Sequence, residues 1–194
     1  MATNKRHTVP YRRKRHGLTN YRKRLKMLQS GKPRLVVRKG GQSIIAQIAA
    51  YDEKGDRIMC QAHSHELKKM GWPFNTGNTP AAYLTGLIIG KRAQEHKINA
   101  AIFDIGLYAP TKGSKVFTVL KGAIDAGLNI PHSPEVLPSE QRIKGEHIQS
   151  YLQIITGNEN SRTRNQFRLL RNSQHKMTPA EAVESIKQKI LQRT

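Results

Sequence analysis

The first 51 residues carry 14 lysines and arginines and no acidic side chain. Residues 52–140 are close to neutral, with 10 basic and 9 acidic residues, and residues 141–194 hold 10 basic and 4 acidic ones. Cations without neighbouring carboxylates repel one another at the surface unless a polyanion neutralises them. The distribution predicts a basic arm, a balanced core and a moderately basic tail.

The whole chain has 194 residues, a formal charge of +21 and an isoelectric point near 10.5. Its single cysteine, Cys60, excludes an intramolecular disulfide framework and a zinc site built from several cysteines. No apolar run approaches the roughly 18–20 residues that span a bilayer. The first residues also lack the apolar segment of a secretory signal. We therefore expect a cytoplasmic protein without a membrane partner.

The charge of the arm admits several interpretations. One is a disordered, solubilising tail, and another is a polybasic segment that binds anionic lipids. Lipid binding needs an apolar helix face, for which the arm offers mainly Tyr11, Tyr21, Leu25 and Leu28. DNA readout needs an element such as a helix-turn-helix or zinc finger, and the sequence shows neither. RNA is the favoured partner, because Arg and Lys neutralise phosphates while Tyr and Arg planes stack on unpaired bases.

Turn signals and periodicity predict a small mixed α/β domain. Glycine-containing turns at residues 39–42 and 52–56 separate three strand-like segments, which indicates an antiparallel three-strand meander. A short apolar segment after a helix indicates a buried strand that the helix joins to the sheet as a crossover. The predicted strands are residues 33–39, 43–51, 57–63 and 100–105. Helices are predicted to pack on this sheet, at residues 79–97, 114–126 and 139–152 and from residue 178 onward.

These elements suggest three parts. They are an extended basic RNA-binding arm at residues 1–32, the α/β core domain at residues 33–130 and a helical C-terminal extension at residues 131–194. Within the arm, a short helix is expected after Thr19 or Asn20 as its cap, with Gly31 as its end.

Capping residues locate the two clearest helix starts. Thr79 is the expected N-cap of the first core helix, because Pro80 suits the first helical turn. Gly86 and Gly90 lie four residues apart on one face of that helix, which we expect to pack closely on the sheet. In the last helix, residues 178–181 form a capping box ahead of a narrow apolar stripe.

The sequence contains little that indicates catalysis. The segment GLIIGK has the wrong glycine spacing for a phosphate-binding loop and lies inside a capped helix. His63, His65 and Glu66 have a spacing that can grip a metal, but a polar turn after a strand is the favoured interpretation. Cys60 is expected to be a small buried side chain. We expect no cofactor and no metal.

Asp104 ends the buried strand, where catalytic carboxylates often lie in α/β sheets. A nuclease needs two or more acids that converge on metal ions, whereas the other nearby acids, Asp52, Glu53 and Asp56, lie in a hairpin turn and are expected to be solvated. Asp104 is therefore expected to cap the following loop. A non-enzyme is favoured, with an RNA-processing or RNA-modifying enzyme that uses Asp104 and the His63/His65 pair as the alternative.

One phosphate candidate lies inside the core. Gly113 and Ser114 open a helix between Lys112 and Lys115, so free backbone N–H groups point outward beside two ammonium groups. This arrangement suits an RNA phosphate, and it equally suits an ordinary capped helix with two exposed lysines.

The chain resembles the archaeal form of the 5S-rRNA-binding family of the large ribosomal subunit, homologous to bacterial large-subunit protein eighteen and eukaryotic large-subunit protein five. The matching stretches span roughly residues 5–150 and are YRRKRHGLTNYRKRLKMLQSGKPRLVV, NTPAAYLTGLIIGKRA, FDIGLYAPTKGSKVFTVLKGAIDAGLNIPHS and LPSEQRIKGEHI. The resemblance implies a structural constituent of the central protuberance that binds 5S rRNA and helps attach it to the large-subunit rRNA. It also implies neighbouring ribosomal proteins, including a second 5S-binding protein, as partners, and no homo-oligomer.

The resemblance also assigns residues. It matches Arg12, Arg13, Lys14, Arg15, Tyr21, Arg22, Lys23 and Arg24 to the arm that engages 5S rRNA, and Arg34 and Arg38 to the adjoining strand. The arm composition adds Lys5, Arg6, Tyr11 and Lys26, and the core candidate adds Lys112 and Lys115. For the tail, composition alone suggests a role for Arg162, Arg164, Arg168 and Arg171.

Overall fold

The structure, a computed structural model, describes residues 8–157 and 177–192. Its strands are β1 (Arg34–Lys39), β2 (Ile44–Ala50), β3 (Arg57–His63) and β4 (Ile102–Asp104). Its helices are α1 (Arg12–Arg15), α2 (Tyr21–Leu28), α3 (Glu66–Lys69), α4 (Thr79–Glu95), α5 (Lys115–Asp125), α6 (Glu140–Lys144), α7 (Glu146–Gly157) and α8 (Pro179–Gln192). A short 3₁₀ turn covers Pro134–Val136. No helix among these residues is both long and apolar enough to cross a membrane.

The four strands form one mixed sheet in the order β3-β2-β1-β4. β1, β2 and β3 pair antiparallel, and β4 returns after α4 to pair parallel to β1. The predicted α/β fold class is thereby confirmed. β4 is shorter than predicted, because Ala100 bridges to Asn129 rather than to the sheet and Gly106, with φ +65°, turns the chain away after Asp104.

Helix α4 lies at the centre of the core. Every residue from Thr79 to Gly90 is buried, since the helix packs against the sheet and is also contacted by α5 and α8. Its cap differs from the prediction: the Asn78 side chain, not Thr79, accepts the Ala81 N–H at 2.8 Å. Asn is as good an N-cap as Thr, and it places Pro80 in the first turn, where no N–H is required.

The two glycines of α4 meet α5 rather than the sheet, which corrects the expectation from the sequence. A Cβ on Gly86 would lie 2.2 Å from the backbone oxygen of Val119, and one on Gly90 would lie 2.5 Å from the Ala126 Cβ. Gly122 on α5 makes the same close approach to α4, because a Cβ at this position would lie 2.2 Å from the Tyr83 backbone oxygen. Backbones this close leave no space for a side chain, so these glycines allow the helices to touch.

The C-terminal helices join the same hydrophobic cluster as the core. The helix predicted at residues 139–152 is divided into α6 and α7 by Gly145, which has φ +82°. The capping box of α8 is present, since Glu181 accepts the Thr178 N–H at 2.8 Å and Thr178 accepts the Glu181 N–H at 3.3 Å. α8 buries a stripe consisting of Val183, Ile186 and Ile190. The division into three parts stays a prediction.

Candidate nucleic-acid interface

The described part of the arm consists of two short helices with no buried residue. α1 was not predicted, because four consecutive basic residues carry no apolar periodicity. All four of its side chains are exposed, and Arg13 donates from Nε to the Thr19 hydroxyl at 2.9 Å. α2 begins as expected at Asn20, whose side chain accepts the Lys23 N–H at 3.1 Å. Apart from Arg24, the cations of α1 and α2 are therefore exposed to solvent along two short helices.

Two tyrosines that bracket the cations in sequence meet in space. The rings of Tyr11 and Tyr21 have centroids 5.3 Å apart and are tilted by 50°. Tyr11 remains largely exposed. An aromatic pair of this geometry joins α1 to α2 and leaves a ring face on which an unpaired base can stack.

The arm is fastened to the sheet by a chain of ion pairs, here called the arm anchor: Arg24, Asp56, Arg34 and Asp104. Arg24 grips both carboxylate oxygens of Asp56, at 2.8 and 2.7 Å. Arg34 spans two carboxylates, with Nη2 2.6 Å from Asp56 Oδ2 and Nη1 2.8 Å from Asp104 Oδ2. These are charge-assisted bonds, the stronger class of protein hydrogen bonds.

The arm anchor changes two expectations. Asp56 was expected to be solvated in its turn, but it lies between two guanidinium groups. Arg34, predicted to bind RNA, has a side chain only 4% exposed and bonded to two carboxylates. Asp104 caps the following loop as expected, since it accepts the Gly106 N–H at 2.8 Å, and it also pairs with Arg34. Pairing between residues 22 to 70 positions apart leaves no signal in local sequence, so it was missed.

The hydrogen bonds from Arg24 are the main cause that holds the pKa of the Asp56 carboxyl below its ordinary value; burial works in the opposite direction, and Arg34 lowers the pKa further. The same hydrogen bond raises the pKa of the Arg24 guanidinium. Both shifts favour the ionised pair, and both side chains are less than a third exposed.

This pKa shift predicts how acid releases the arm. A carboxyl whose pKa is lowered by folding stabilises the docked arm fully above its unfolded value and loses that contribution as the pH falls through its lowered pKa. We expect the arm to stay docked at about pH 4, the ordinary range of an aspartate carboxyl, and to detach only at lower pH. The carboxyl carbon shift of Asp56, followed by NMR during an acid titration, measures this. Detachment near neutral pH would contradict the prediction.

A groove of about 820 Å³ separates the arm from the sheet. Cationic residues from both sides line it, namely Arg13, Lys23, Lys26 and Arg38, and its apolar lining includes Val36, Phe103 and Ile105. Arg38 is held by its Nη1, which donates to the Val37 and Asp104 carbonyls at 2.8 and 3.3 Å. The groove thus combines positive charge with apolar surface, as sites for single-stranded nucleic acid do.

The remaining predicted RNA ligands lie elsewhere. Lys112 pairs with Glu135 at 2.7 Å on an exposed surface, and Lys115 is the first residue of α5 after the N-cap Ser114. An exposed pair of this kind contributes roughly 0–1 kcal/mol, so Lys112 can exchange its partner for a phosphate. Lys5 and Arg6, like the tail arginines 162, 164, 168 and 171, lie outside the described residues.

The residues of the enzyme alternative are engaged in local contacts. His63 Nδ1 accepts the His65 N–H at 3.1 Å, and Glu66 accepts the His63 N–H at 2.8 Å and pairs with Arg92. Burial opposes ionisation of Glu66, but hydrogen bonds from Arg92 and His63 leave its pKa below the ordinary value. Burial raises the pKa of the Cys60 thiol. Within residues 8–157 and 177–192, no group of three or more His, Cys, Asp or Glu side chains is placed to hold a metal ion.

Comparison with known proteins identifies the family. The sequence model of the family of ribosomal large subunit proteins 60S L5 and 50S L18 matches residues 5–100 and 93–133, about two thirds of the chain. The chain belongs to this family. It is a structural protein of the large ribosomal subunit and not an enzyme, and its location is the cytoplasmic ribosome. The match includes the whole described arm and the arm anchor, and the family implies rRNA and other ribosomal proteins as partners.

Proposed function

We propose that this ribosomal protein binds 5S rRNA through its basic arm and helps attach it to the large-subunit rRNA in the central protuberance. The observation that carries the proposal is the exposed, acid-free arm, which is fastened to the core by the arm anchor. Its family membership supports rRNA as the polyanion, and the tyrosine pair, with Tyr11 exposed, favours RNA that offers unpaired bases.

In this function the residues fall into two groups. Cations of the arm and of β1 neutralise phosphates, and Tyr11 and Tyr21 stack on bases. These cations are Lys5, Arg6, Arg12, Arg13, Lys14, Arg15, Arg22, Lys23, Lys26 and Arg38, with Lys112 and Lys115 as a second contact. Arg24 and Arg34 act mainly through their ion pairs, which place the arm. The large-subunit rRNA and neighbouring proteins, including a second 5S-binding protein, complete the surroundings of a single copy of the chain.

The test is neutralisation of α1. We expect a variant with Arg12, Arg13, Lys14 and Arg15 all changed to glutamine to lose 5S rRNA binding at moderate salt, while its thermal unfolding stays unchanged because α1 buries nothing. If the wild type contacts about eight phosphates, the log–log slope of affinity against salt is on the order of −6 to −7, and the variant loses about half of it. Binding is measured by filter retention of a labelled 5S transcript over a salt series.

The matched control removes the same charge elsewhere. Lys68, Lys69, Lys91 and Lys97 lie outside the arm, and changing all four to glutamine lowers the net charge equally. We expect this variant to keep most of its affinity and its salt slope. Equal losses in the two variants would mean that total charge, and not the arm, determines binding, and unchanged affinity in the α1 variant would overturn the proposal.

A further inference from the structure

We propose that Asp56, an acidic residue, is a positioning residue for RNA binding, because it holds the cationic arm in its binding geometry. This inference rests on the proposed function, in which the arm binds 5S rRNA. It assigns an RNA-binding role to a side chain that, by its own charge, repels RNA.

The arm has little else to hold it in place. Neither α1 nor α2 buries a residue, and only one face of α2, containing Met27 and Leu28, is half-buried. Among the described residues, the two bonds from Arg24 to Asp56 are the side-chain hydrogen bonds that join the arm to the rest of the protein. Repulsion among the exposed arm cations works against docking, so these bonds decide how the arm is placed.

On the sheet side of the arm anchor, the Asp56 carboxylate is held in a fixed position. Asp56 Oδ2 accepts from Arg24 at 2.8 Å and from Arg34 at 2.6 Å, so the carboxylate is held from both sides. Arg34 is 3% exposed and is fixed in turn by Asp104, which is 5% exposed. A bidentate pair to a carboxylate held in this way sets direction as well as distance, because the guanidinium fork is planar.

Two effects of Asp56 on RNA binding have opposite signs. As a negative charge beside a cationic surface, Asp56 repels phosphates. If this electrostatic repulsion is its only effect on binding, removing the charge increases the affinity for RNA. As the anchor of the arm, Asp56 orders the cations before RNA binds. Without it, the entropy cost of ordering the arm is added to the binding free energy, so the affinity falls. The direction in which affinity changes therefore separates the two roles.

The experiment compares Asp56→Asn with Glu53→Gln in the full chain. Both remove one negative charge from the same hairpin turn, but Glu53 is exposed and outside the arm anchor. We expect Asp56→Asn to weaken binding to a 5S transcript about tenfold, as the loss of a charge-assisted bond implies, and Glu53→Gln to leave it unchanged or slightly stronger. The salt slope stays the same in both, because no phosphate contact is removed.

A second pair of variants keeps both the net charge and the buried part of the anchor. Arg24→Lys replaces a bidentate fork by a point charge, whereas Arg57→Lys makes the same exchange at an exposed arginine of β3, outside the arm. We expect about threefold weaker binding for Arg24→Lys and no change for Arg57→Lys. Hydrogen exchange of the α2 amides is expected to speed up in Arg24→Lys and Asp56→Asn only. If Asp56→Asn fails to fold, the lysine pair alone decides.

The outcomes distinguish this inference from the proposed function. If the α1 variant loses 5S binding but Asp56→Asn binds as tightly as Glu53→Gln, the arm binds RNA and the positioning role is wrong. If Arg24→Lys and Arg57→Lys behave alike, the inference is likewise wrong. If the α1 variant keeps its affinity, the proposed function itself has failed.

Discussion

Replacing Gly86 by alanine is expected to lower the free energy of unfolding by about 3 kcal/mol or more, near the top of the range for overpacked cores. In an isolated helix the same exchange stabilises by about 1 kcal/mol, because glycine is a poor helix former. Here the new methyl group would lie 2.2 Å from the Val119 backbone oxygen, and a backbone cannot move aside as a flexible side chain does. α4 and α5 would therefore have to separate.

The control is Gly41→Ala. Gly41 lies in the β1–β2 turn with a φ that other residues adopt, and nothing lies within 4 Å of the position of a new Cβ. We expect its unfolding free energy to change by less than about 0.5 kcal/mol. Thermal unfolding of the full chain measures both, and for a chain of this length the Gly86 variant should melt about 6–12 °C lower. A Gly86→Ala protein as stable as the wild type would contradict the close contact of the two helices.

The strands and the helix ends were predictable because their causes are local. Glycine turns, a proline in a first turn and a Thr178–Glu181 capping box each act over a few neighbouring residues, so the sequence reveals them directly. The mixed sheet followed from the order of elements, since a crossover helix makes the strand after it parallel to one before. In α4 the predicted cap, Thr79, was wrong although Asn ranks above Thr at N-cap positions, and the observed hydrogen bond shows that Asn78 caps the helix.

The partner of the glycine face was not predictable in the same way. Gly86 and Gly90 indicate close approach on one side of α4, but nothing in their spacing says whether a sheet or a helix lies there. The matching signal was present in α5, where Gly122 lies on the buried face of the helix with Val119 and Ala123. Two helices that both carry a glycine on a packed face favour helix–helix contact, because each gap accommodates the other backbone.

The site was predicted in its chemistry and not in its arrangement. An excess of cations without acids is a property of composition, and it pointed to RNA before any contact was known. The arm anchor forms because Arg24, Asp56, Arg34 and Asp104 come together from four distant segments of the chain. Of the three acids in the turn at residues 52–56, Asp56 is the one that belongs to the anchor. Long-range pairing of this kind follows from the fold, so sequence reasoning assigned Arg34 to the surface and Asp56 to solvent.

The second large effect is expected at the buried end of the arm anchor. Asp104→Asn keeps the size of the side chain and its acceptor for the Gly106 N–H, but it removes the charge that faces Arg34 at 2.8 Å. Arg34 is then a buried cation with one carboxylate, Asp56, in place of two. Breaking a buried pair from one side costs roughly 3–5 kcal/mol, and because Asp56 remains we expect about 3 kcal/mol.

The double variant Arg34→Met with Asp104→Leu supplies the control. Replacing both members of a buried ion pair by apolar residues is often neutral or stabilising, because no charge is left without a partner. We therefore expect the double variant to unfold at higher denaturant concentration than Asp104→Asn, although it contains more substitutions. Because Arg34 also holds Asp56, the double variant should share the weaker 5S binding expected of Asp56→Asn.

Urea unfolding of the wild type, Arg34→Met, Asp104→Leu and the double variant measures the coupling between Arg34 and Asp104. A coupling near zero would mean that the pair does not hold the arm anchor together.

The Asp104→Asn variant also tests the enzyme alternative. If Asp104 were a catalytic carboxylate, the wild type would cleave RNA in the presence of a divalent metal and the variant would be inactive. We expect no turnover in either protein, because Asp104 is 5% exposed and its two oxygens accept hydrogen bonds from Arg34 and from the Gly106 N–H. The other acid of the arm anchor, Asp56, is held by Arg24 and Arg34 and is not free to share a metal ion.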